Sequence, residues 1–304
     1  MDFKGKTAFI TGGVSGIGFG IARALSNAGM RLALSYRNDR FRAEAERWFA
    51  ENGREQPLFV QLDVMDRAGF AAAAEAVEQA FGKVHVLVNN AGVSVFGPAD
   101  EATYDDYDWI MGVNFGGVVN GLVSFLPALK RHGEGGHVVN VASMAAYLSG
   151  PQAGIYTASK YAVRGLTESL RYNLAPHGIG VSLLCPGLTQ SNAWGSALGR
   201  PAAFAASGLG EVRRDELEQF SAAFEVGMDP LEVGEKTLAG MRENRGLIFS
   251  HPEFARDFQE IYEASLAALP DEPIPEGRQA IEQLRRAANR AALEGTRIGL
   301  SDLT

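Results

Sequence analysis

In the stretch Ile155-Tyr156-Thr157-Ala158-Ser159-Lys160-Tyr161-Ala162-Val163, Tyr156 and Lys160 stand four residues apart. On a helix that spacing puts both side chains on one face, one turn from each other. A free phenol titrates near ~10, too high to act as a base at neutral pH. A cation one turn away favours the phenolate. Such a tyrosine can take a proton from an alcohol or return one to a ketone. Thirteen residues upstream, Ser143 follows the apolar run Val138-Val139-Asn140-Val141-Ala142. That run reads as a buried parallel strand with a hydroxyl at its C-terminal end, where open parallel sheets carry their chemistry. Alone, a Tyr–Lys pair reads equally as surface decoration on an ordinary helix. The elements around it must discriminate.

Residues 7–11 form a short apolar strand, followed by Gly12-Gly13-Val14-Ser15-Gly16-Ile17-Gly18 and helical spacing through Asn27, with Gly29 as a C-cap. Glycines between strand and helix let a pyrophosphate approach the amides of the helix N-terminus. The second strand, residues 31–36, ends at Tyr36 with Arg37 next, where an acid would bind the ribose of NAD. A guanidinium can instead bind a 2′-phosphate bidentately. The reading favours NADP(H), with Ser15 as a second donor. The alternative, NAD(H), has Asp39 swinging back to the ribose and Arg37 solvated. Arg40 and Arg42 read as a solvated helix start over residues 40–52. Residues 58–62 are a third strand closed by Asp63-Val64. The acid is either an acceptor for the adenine amino group or a helix cap. Residues 66–81 are helical, and the strand 84–88 runs into Asn89-Asn90-Ala91-Gly92, small enough for a cofactor to pass closely.

Residues 103–131 carry one long helical pattern that begins with Asp105, Asp106 and Asp108, acids that suit a helix N-terminus rather than a metal. Asn114 lies among apolar neighbours and needs partners. It is either bonded to backbone or holds a water beneath an active site. The Tyr156 helix runs to Ala175, and strands at 180–184 and 246–250 complete a series of strands alternating with helices. That alternation predicts a parallel α/β sheet. No linker interrupts residues 1–304, which read as one domain without internal repeats.

Composition narrows the function classes. The chain has 304 residues, 46% apolar and 21% charged, with a net charge of −8. This argues against non-specific nucleic-acid binding and against an anionic membrane surface. The single cysteine, Cys185, permits no internal disulfide and reads as a small buried hydrophobe. The start, Met-Asp-Phe-Lys-Gly-Lys, leads straight into a strand, so no signal peptide is expected. No run approaches the ~20 apolar residues of a membrane span, and a cytoplasmic protein is expected. His85, His132, His137, His177 and His251 show no metal spacing, and no metal is predicted.

The set TGGVSGIG at 11–18, Asp63, NNAG at 89–92, Asn114, Ser143, YTASK at 156–160 and PG at 186–187 resembles the classical short-chain dehydrogenases/reductases over residues 4–250. The resemblance implies a Rossmann-type sheet of seven parallel strands and a catalytic tetrad at Asn114, Ser143, Tyr156 and Lys160. In that scheme Ser143 stabilises the substrate oxygen, Tyr156 moves the proton and Lys160 favours the phenolate and binds the nicotinamide ribose. Asn114 holds a water linking Lys160 to solvent. With the readings above, dinucleotide contacts are expected from Gly12, Ser15, Gly16, Ile17, Gly18, Tyr36, Arg37, Asp63, Val64, Asn90, Ala91, Gly92, Pro186, Gly187 and Thr189, besides Tyr156 and Lys160. The implied substrate is a small-molecule ketone or secondary alcohol, and the implied assembly a homodimer or homotetramer.

Two segments exceed a minimal member. Residues 189–228, with Trp194, Phe204, Phe220 and Phe224, read as a substrate lid. Its rings either line a roomy pocket for bulky, aromatic substrates or pack the lid onto the domain. Ser94, Val95, Phe96, Tyr147 and Leu148 follow catalytic loops and are expected in the same pocket. Residues 253–268 and 276–294 read as helices of a C-terminal extension (251–304) that covers the pocket or a subunit interface. YDDYDWI at 104–110, GVSVFGP at 92–98 and the long tail resemble bacterial Cα-dehydrogenases that oxidise benzylic alcohols of lignin-derived aryl ethers. Those prefer NAD, a pattern from which Tyr36-Arg37 departs. A dinucleotide sensor, or an epimerase or dehydratase retaining its nicotinamide, are alternatives of other classes. The intact Tyr–Lys pair argues against a sensor.

Overall fold

Seven short strands, apolar along most of their length, account for the architecture: β1 (Thr7–Ile10), β2 (Arg31–Tyr36), β3 (Leu58–Gln61), β4 (Val86–Asn89), β5 (Gly136–Val141), β6 (Ile179–Cys185) and β7 (Leu247–Phe249). Strands covered on both faces lose the apolar–polar alternation of a half-wet sheet, and β1, β4 and β5 are buried at every position. The computed structural model describes residues 2–209 and 221–302, apart from the side chain of Trp194. The strands pair in the order β3-β2-β1-β4-β5-β6-β7, all parallel. The chain reverses its direction across the sheet between β1 and β4, and a crevice opens beyond their C-terminal ends.

One face carries α1 (Gly16–Asn27), α2 (Arg42–Glu51) and α7 (Pro230–Arg242) over Ile10, Ile21, Leu34, Phe49 and Val233. The other carries α3 (Arg67–Phe81), α4 (Tyr104–Met111), α5 (Gly117–Arg131) and α6 (Gly154–Leu174) over Phe9, Phe70, Trp109, Phe125 and Val163. Within that second layer Phe9 stacks on Phe125 with ring centroids 4.5 Å apart. Two helices, α8 (Ala255–Ala267) and α9 (Glu276–Leu293), follow β7.

Residues 103–131 are not one regular helix. A π-helical turn, Gly112–Gly116, separates α4 from α5, and such turns often mark functional positions. The run Tyr104–Arg131 is long and apolar enough by composition to cross a membrane, contrary to the sequence expectation. Trp109, Ile110, Phe125 and Leu129 spend that hydrophobicity inside the core instead. Asp106 closes a capping box with Thr103 at the start of α4, as acids in a first turn should. It also does more, as the lid shows.

Candidate active site

A cleft of about 960 Å³ runs along the C-terminal edge of the sheet, from the glycine turn after β1 to the start of α6. Gly12 and Gly16 hold φ of +62° and +50°, conformations that side chains disfavour. The turn is fastened by its neighbours. The Gly12 N–H donates to Ser35 Oγ at 3.2 Å, and the Asn90 amide donates to the carbonyl oxygens of Thr11 and Gly12 at 2.9 and 3.3 Å. Gly18 lies beneath the turn, where a Cβ would stand 2.3 Å from the Gly12 carbonyl oxygen. Gly12, Ser15, Gly16 and Ile17 line the cleft, whereas Gly18 lets α1 approach it.

Further along, Tyr36, Arg37, Asp63, Val64, Asn90, Ala91 and Gly92 also line the cleft. Tyr36 is buried, and its hydroxyl accepts a hydrogen bond from Arg42 Nη1 at 3.1 Å. Arg42 opens α2, its side chain 40% exposed and paired with Glu46, as a solvated helix start should be, while Arg40 lies at the cleft itself. The Arg37 guanidinium donates to the Gly199 carbonyl oxygen in the lid at 3.0 Å. The Asp63 carboxylate accepts from the Met65 N–H at 2.9 Å, the cap of a turn, and faces the cleft as well.

At the other end, Ser143 leaves β5 and accepts from the Ala145 N–H at 3.1 Å, which fixes its hydroxyl at the cleft wall. Tyr156 sits in the first turn of α6, with the Phe96 ring 5.9 Å away. Lys160 is 5% exposed. Its ammonium lies 5.6 Å from the Tyr156 ring centroid and donates to the Val141 carbonyl oxygen at 3.3 Å. A buried cation is costly unless it is satisfied, so its placement in the cleft wall restricts what can face it. Asn114, in the π-turn, accepts from the Val93 N–H at 2.8 Å. It donates to Val93 O and Ser159 Oγ, both at 3.0 Å. Both amide hydrogens are thus committed, and a water at this residue would be held through its oxygen atoms. The fold brings Ser143, Tyr156 and Lys160 to one end of one cleft, with Asn114 buried behind them beside Gly92.

The loop after β6 closes that end. Pro186, Gly187 and Thr189 line the cleft, and Thr189 is buried and paired by backbone with Met228. The loop is held by a residue the sequence did not flag. The Gly187 N–H donates to His251 Nδ1 at 3.0 Å, leaving the His251 Nε2–H to donate to the Leu188 carbonyl oxygen at 2.8 Å. Phe254, from the C-terminal extension, also lines the cleft. No local pattern announces either role, because both depend on β7 returning beside β6.

The segment expected to be a lid is tied to Asp106 through Arg200, Ser207 and Gly208. Burial alone would raise this carboxyl. Hydrogen bonds from Ser207, Thr103, Gly208 and Arg200 outweigh it and hold the group at about 2. Arg200 lies 2.7 Å from Asp106 Oδ1 and stacks 4.6 Å from the Trp109 ring. Phe204 packs against the core and Phe224 faces the cleft, so each alternative for the lid aromatics holds for one ring. Phe220 and the Trp194 side chain lie outside the described residues. Ser94, Phe96 and Leu148 line the cleft. Tyr147 does not. It is wedged against Phe249 and Phe258, at 5.4 and 5.0 Å, with the Arg164 guanidinium 3.8 Å from its ring centroid. Its expected place in the pocket is corrected accordingly, since aromatic packing behind β7 turns it away.

Three groups that looked scattered do meet: His85, His132 and Glu134 come together at the opposite end of the sheet. His85 meets the Thr7 N–H through Nδ1 and the Glu134 carboxylate through Nε2 at 3.0 Å, His132 meets the Val84 carbonyl and the Glu134 N–H, and Lys6 and Lys83 pair with the carboxylate. Two ammonium groups on the one anionic ligand fit an ion-pair knot better than a cation site.

Residues 6–199 match the short chain dehydrogenase family model. The chain belongs to the short-chain dehydrogenase/reductase family. It is 37% identical to a C alpha-dehydrogenase of Sphingobium sp. over 98% of its own length and 99% of that protein's. It superimposes with a TM-score of 0.81 on a short chain dehydrogenase/reductase of Burkholderia phymatum solved in complex with NAD, at 34% identity and covering 90% and 99% of the two chains. For the apo form of LigO from Sphingobium the TM-score is 0.72, at 37% identity over 95% and 98%. The chain is thus an oxidoreductase on a seven-stranded Rossmann-type sheet, the fold expected from sequence.

Proposed function

We propose that residues 1–304 form one domain of a cytoplasmic, homo-oligomeric enzyme, a homodimer or homotetramer, that interconverts bulky or aromatic secondary alcohols and ketones with NADP(H). The observation that carries the reading is the buried Lys160 ammonium one turn from Tyr156, in the same cleft as the glycine turn. The residues present suit a dinucleotide. Gly12, Ser15, Gly16 and Ile17 would take the pyrophosphate, Asp63 and Val64 the adenine, and Asn90 to Gly92 the backbone between. Pro186, Gly187 and Thr189 would hold the nicotinamide end. A bound nicotinamide supplies hydride donation or acceptance. Tyr156 Oη takes the alcohol proton or returns it to the ketone oxygen, with the Lys160 ammonium one turn away. The Ser143 hydroxyl stabilises negative charge developing on the substrate oxygen. Asn114 supports a water through its oxygen atoms and so connects Lys160 to solvent. Ser94, Phe96, Leu148, Phe224 and Phe254 offer a large, mostly apolar wall, which supports an aryl-bearing substrate.

A second reading is an NAD-dependent Cα-type alcohol dehydrogenase of aromatic catabolism. Two observations favour it: the full-length similarity to a C alpha-dehydrogenase, and an Arg37 guanidinium turned toward the Gly199 carbonyl. Steady-state kinetics with NADPH and NADH, or NADP and NAD, on aryl ketones and benzylic alcohols separate the two. If Arg37 binds a 2′-phosphate, Arg37→Asp lowers kcat/KM for the phosphorylated cofactor selectively, by about ten-fold or more for the lost charge-assisted pair. An unchanged preference rejects Arg37 as the 2′-phosphate ligand and with it the reading of the end of β2. Tyr156→Phe should abolish turnover with dinucleotide affinity intact, and a near-normal rate would reject the catalytic assignment.

A further inference from the structure

From residue 259 to residue 287 every residue is exposed, although the segment includes most of α8 and the first half of α9. Helices of this length are marginal in water when nothing packs on them. The arm is also far from polar. Ile261, Tyr262, Leu266, Leu269, Ile274, Ile281 and Leu284 are between 41% and 66% exposed. Seven half-exposed large side chains present on the order of 600 Å² of apolar surface, at or above the largest patch on a typical monomer.

The pattern on α9 shows what the surface is for. Ile281, Leu284, Ala288 and Ala292 follow one another at helical spacing and form one stripe. Ala288 and Ala292 are buried where the end of α9 lies on α6 and the turn Ala175–His177. Ile281 and Leu284 carry the same stripe beyond the body into solvent. On α8 only the beginning is seated, through Phe258 against Tyr147 and Phe249, and the apolar positions continue through Ile261, Tyr262 and Leu266. Both stripes start on the body and run off it.

We propose that this arm docks on a second copy of the same chain, with the arms of two protomers packed reciprocally about a twofold axis. Two observations favour a copy over another occupant. The first is size: two such surfaces bury about 1,200 Å² together, within the range of specific protein interfaces. The second is charge. Within α8 stand one arginine, Arg256, and three acids, Asp257, Glu260 and Glu263; within α9 stand four arginines, at 278, 285, 286 and 290, and two glutamates, at 276 and 282. An isologous interface that sets α8 of one protomer against α9 of the other matches acid to base. The inference rests on the homo-oligomer proposed above and assigns its contact, but not on the catalytic reading, since the arm residues are exposed away from the cleft. Its root does reach the cleft through Phe254, so docking would hold that wall in place.

The test is the molar mass in solution of the full chain, measured by light scattering, against the variant Leu266→Glu, Ile281→Glu, Leu284→Glu. These residues are exposed within the protomer, so the circular dichroism spectrum and dinucleotide binding of the variant should match the parent. The expected result is an oligomer whose mass the triple variant reduces two-fold. A parent of one chain, or equal masses for parent and variant, overturns the proposal. So does a single-chain parent that sediments with anionic phosphatidylserine vesicles, which would make the arm a membrane contact. Should the variant fail to fold, hydrogen exchange on the parent serves instead. Amides 259–287 should exchange at least about ten-fold slower than an undocked helix, and exchange at undocked rates refutes the docking.

Discussion

Replacing Asp106 with asparagine tests how the lid is held. The carboxylate accepts from Arg200 Nη2 and Ser207 Oγ at 2.7 Å, from the Gly208 N–H at 2.9 Å, and from the Thr103 N–H and Oγ1 at 3.0 Å. Its side chain is fully buried and that of Arg200 is 13% exposed, so solvent screens the pair little. A carboxyl held at about 2 rather than 3.8 contributes roughly 2.5 kcal/mol at neutral pH. Asparagine keeps the shape but removes the charge and turns an N–H₂ toward groups that already donate. Breaking one member of a buried pair costs ~3–5 kcal/mol, and the retained amide oxygen offsets part of that. A net loss of about 2–3 kcal/mol follows. For a chain of this size it lowers the Tm by roughly 3–5 °C, and proteolysis of the segment around Arg200 and Ser207 should quicken. The pH dependence has a definite sign. A depressed carboxyl stabilises above its unfolded value, and the contribution fades as the pH falls through about 2. The gap between parent and variant should therefore be constant from pH 7 to about 5 and narrow below about 4. Thermal unfolding of both proteins across that range is the assay. A Tm difference under about 1 °C at pH 7, or a gap that widens in acid, would refute the reasoning.

Gly234→Ala should destabilise by several kcal/mol, because a Cβ there stands 2.3 Å from the Gly20 carbonyl oxygen where α7 crosses α1. Chemical denaturation measures it, and a neutral change would show that the crossing can open. His251→Phe should raise KM for the dinucleotide more than it lowers Tm, since Gly187 and Leu188 lose the imidazole between them. Equal KM in variant and parent would make the histidine mere packing. Burial holds His137 at about 3, below its ordinary 6.5. The unfolded chain therefore takes up a proton that the folded one refuses, and stability falls as the pH drops below about 6.5 toward 3. His137→Gln should flatten that acid limb of a Tm-versus-pH curve, and an unchanged limb would place the titration elsewhere.

Local chemistry made the fold legible. Uninterrupted apolar runs, glycines between strand and helix, and the alternation of elements predict a doubly wound parallel sheet, because each signal lies within a few residues of its effect. That Ser143, Tyr156 and Lys160 face one cleft was legible for the same reason. Tyr156 and Lys160 share one helix, and Ser143 ends a strand whose direction fixes which edge it faces. Other roles lie between segments distant in sequence. Asp106 reads as a first-turn acid until Arg200 and Ser207 return to it, and His251 reads as an isolated imidazole until β7 lies beside β6. Tyr147 follows a catalytic loop, yet Phe249 and Phe258 draw it out of the pocket. The tail likewise reads as two helices, and only its placement shows that their apolar positions run off the body. Short-range backbone preference sets the elements, while which buried charge meets which partner depends on contacts that only the closed fold creates.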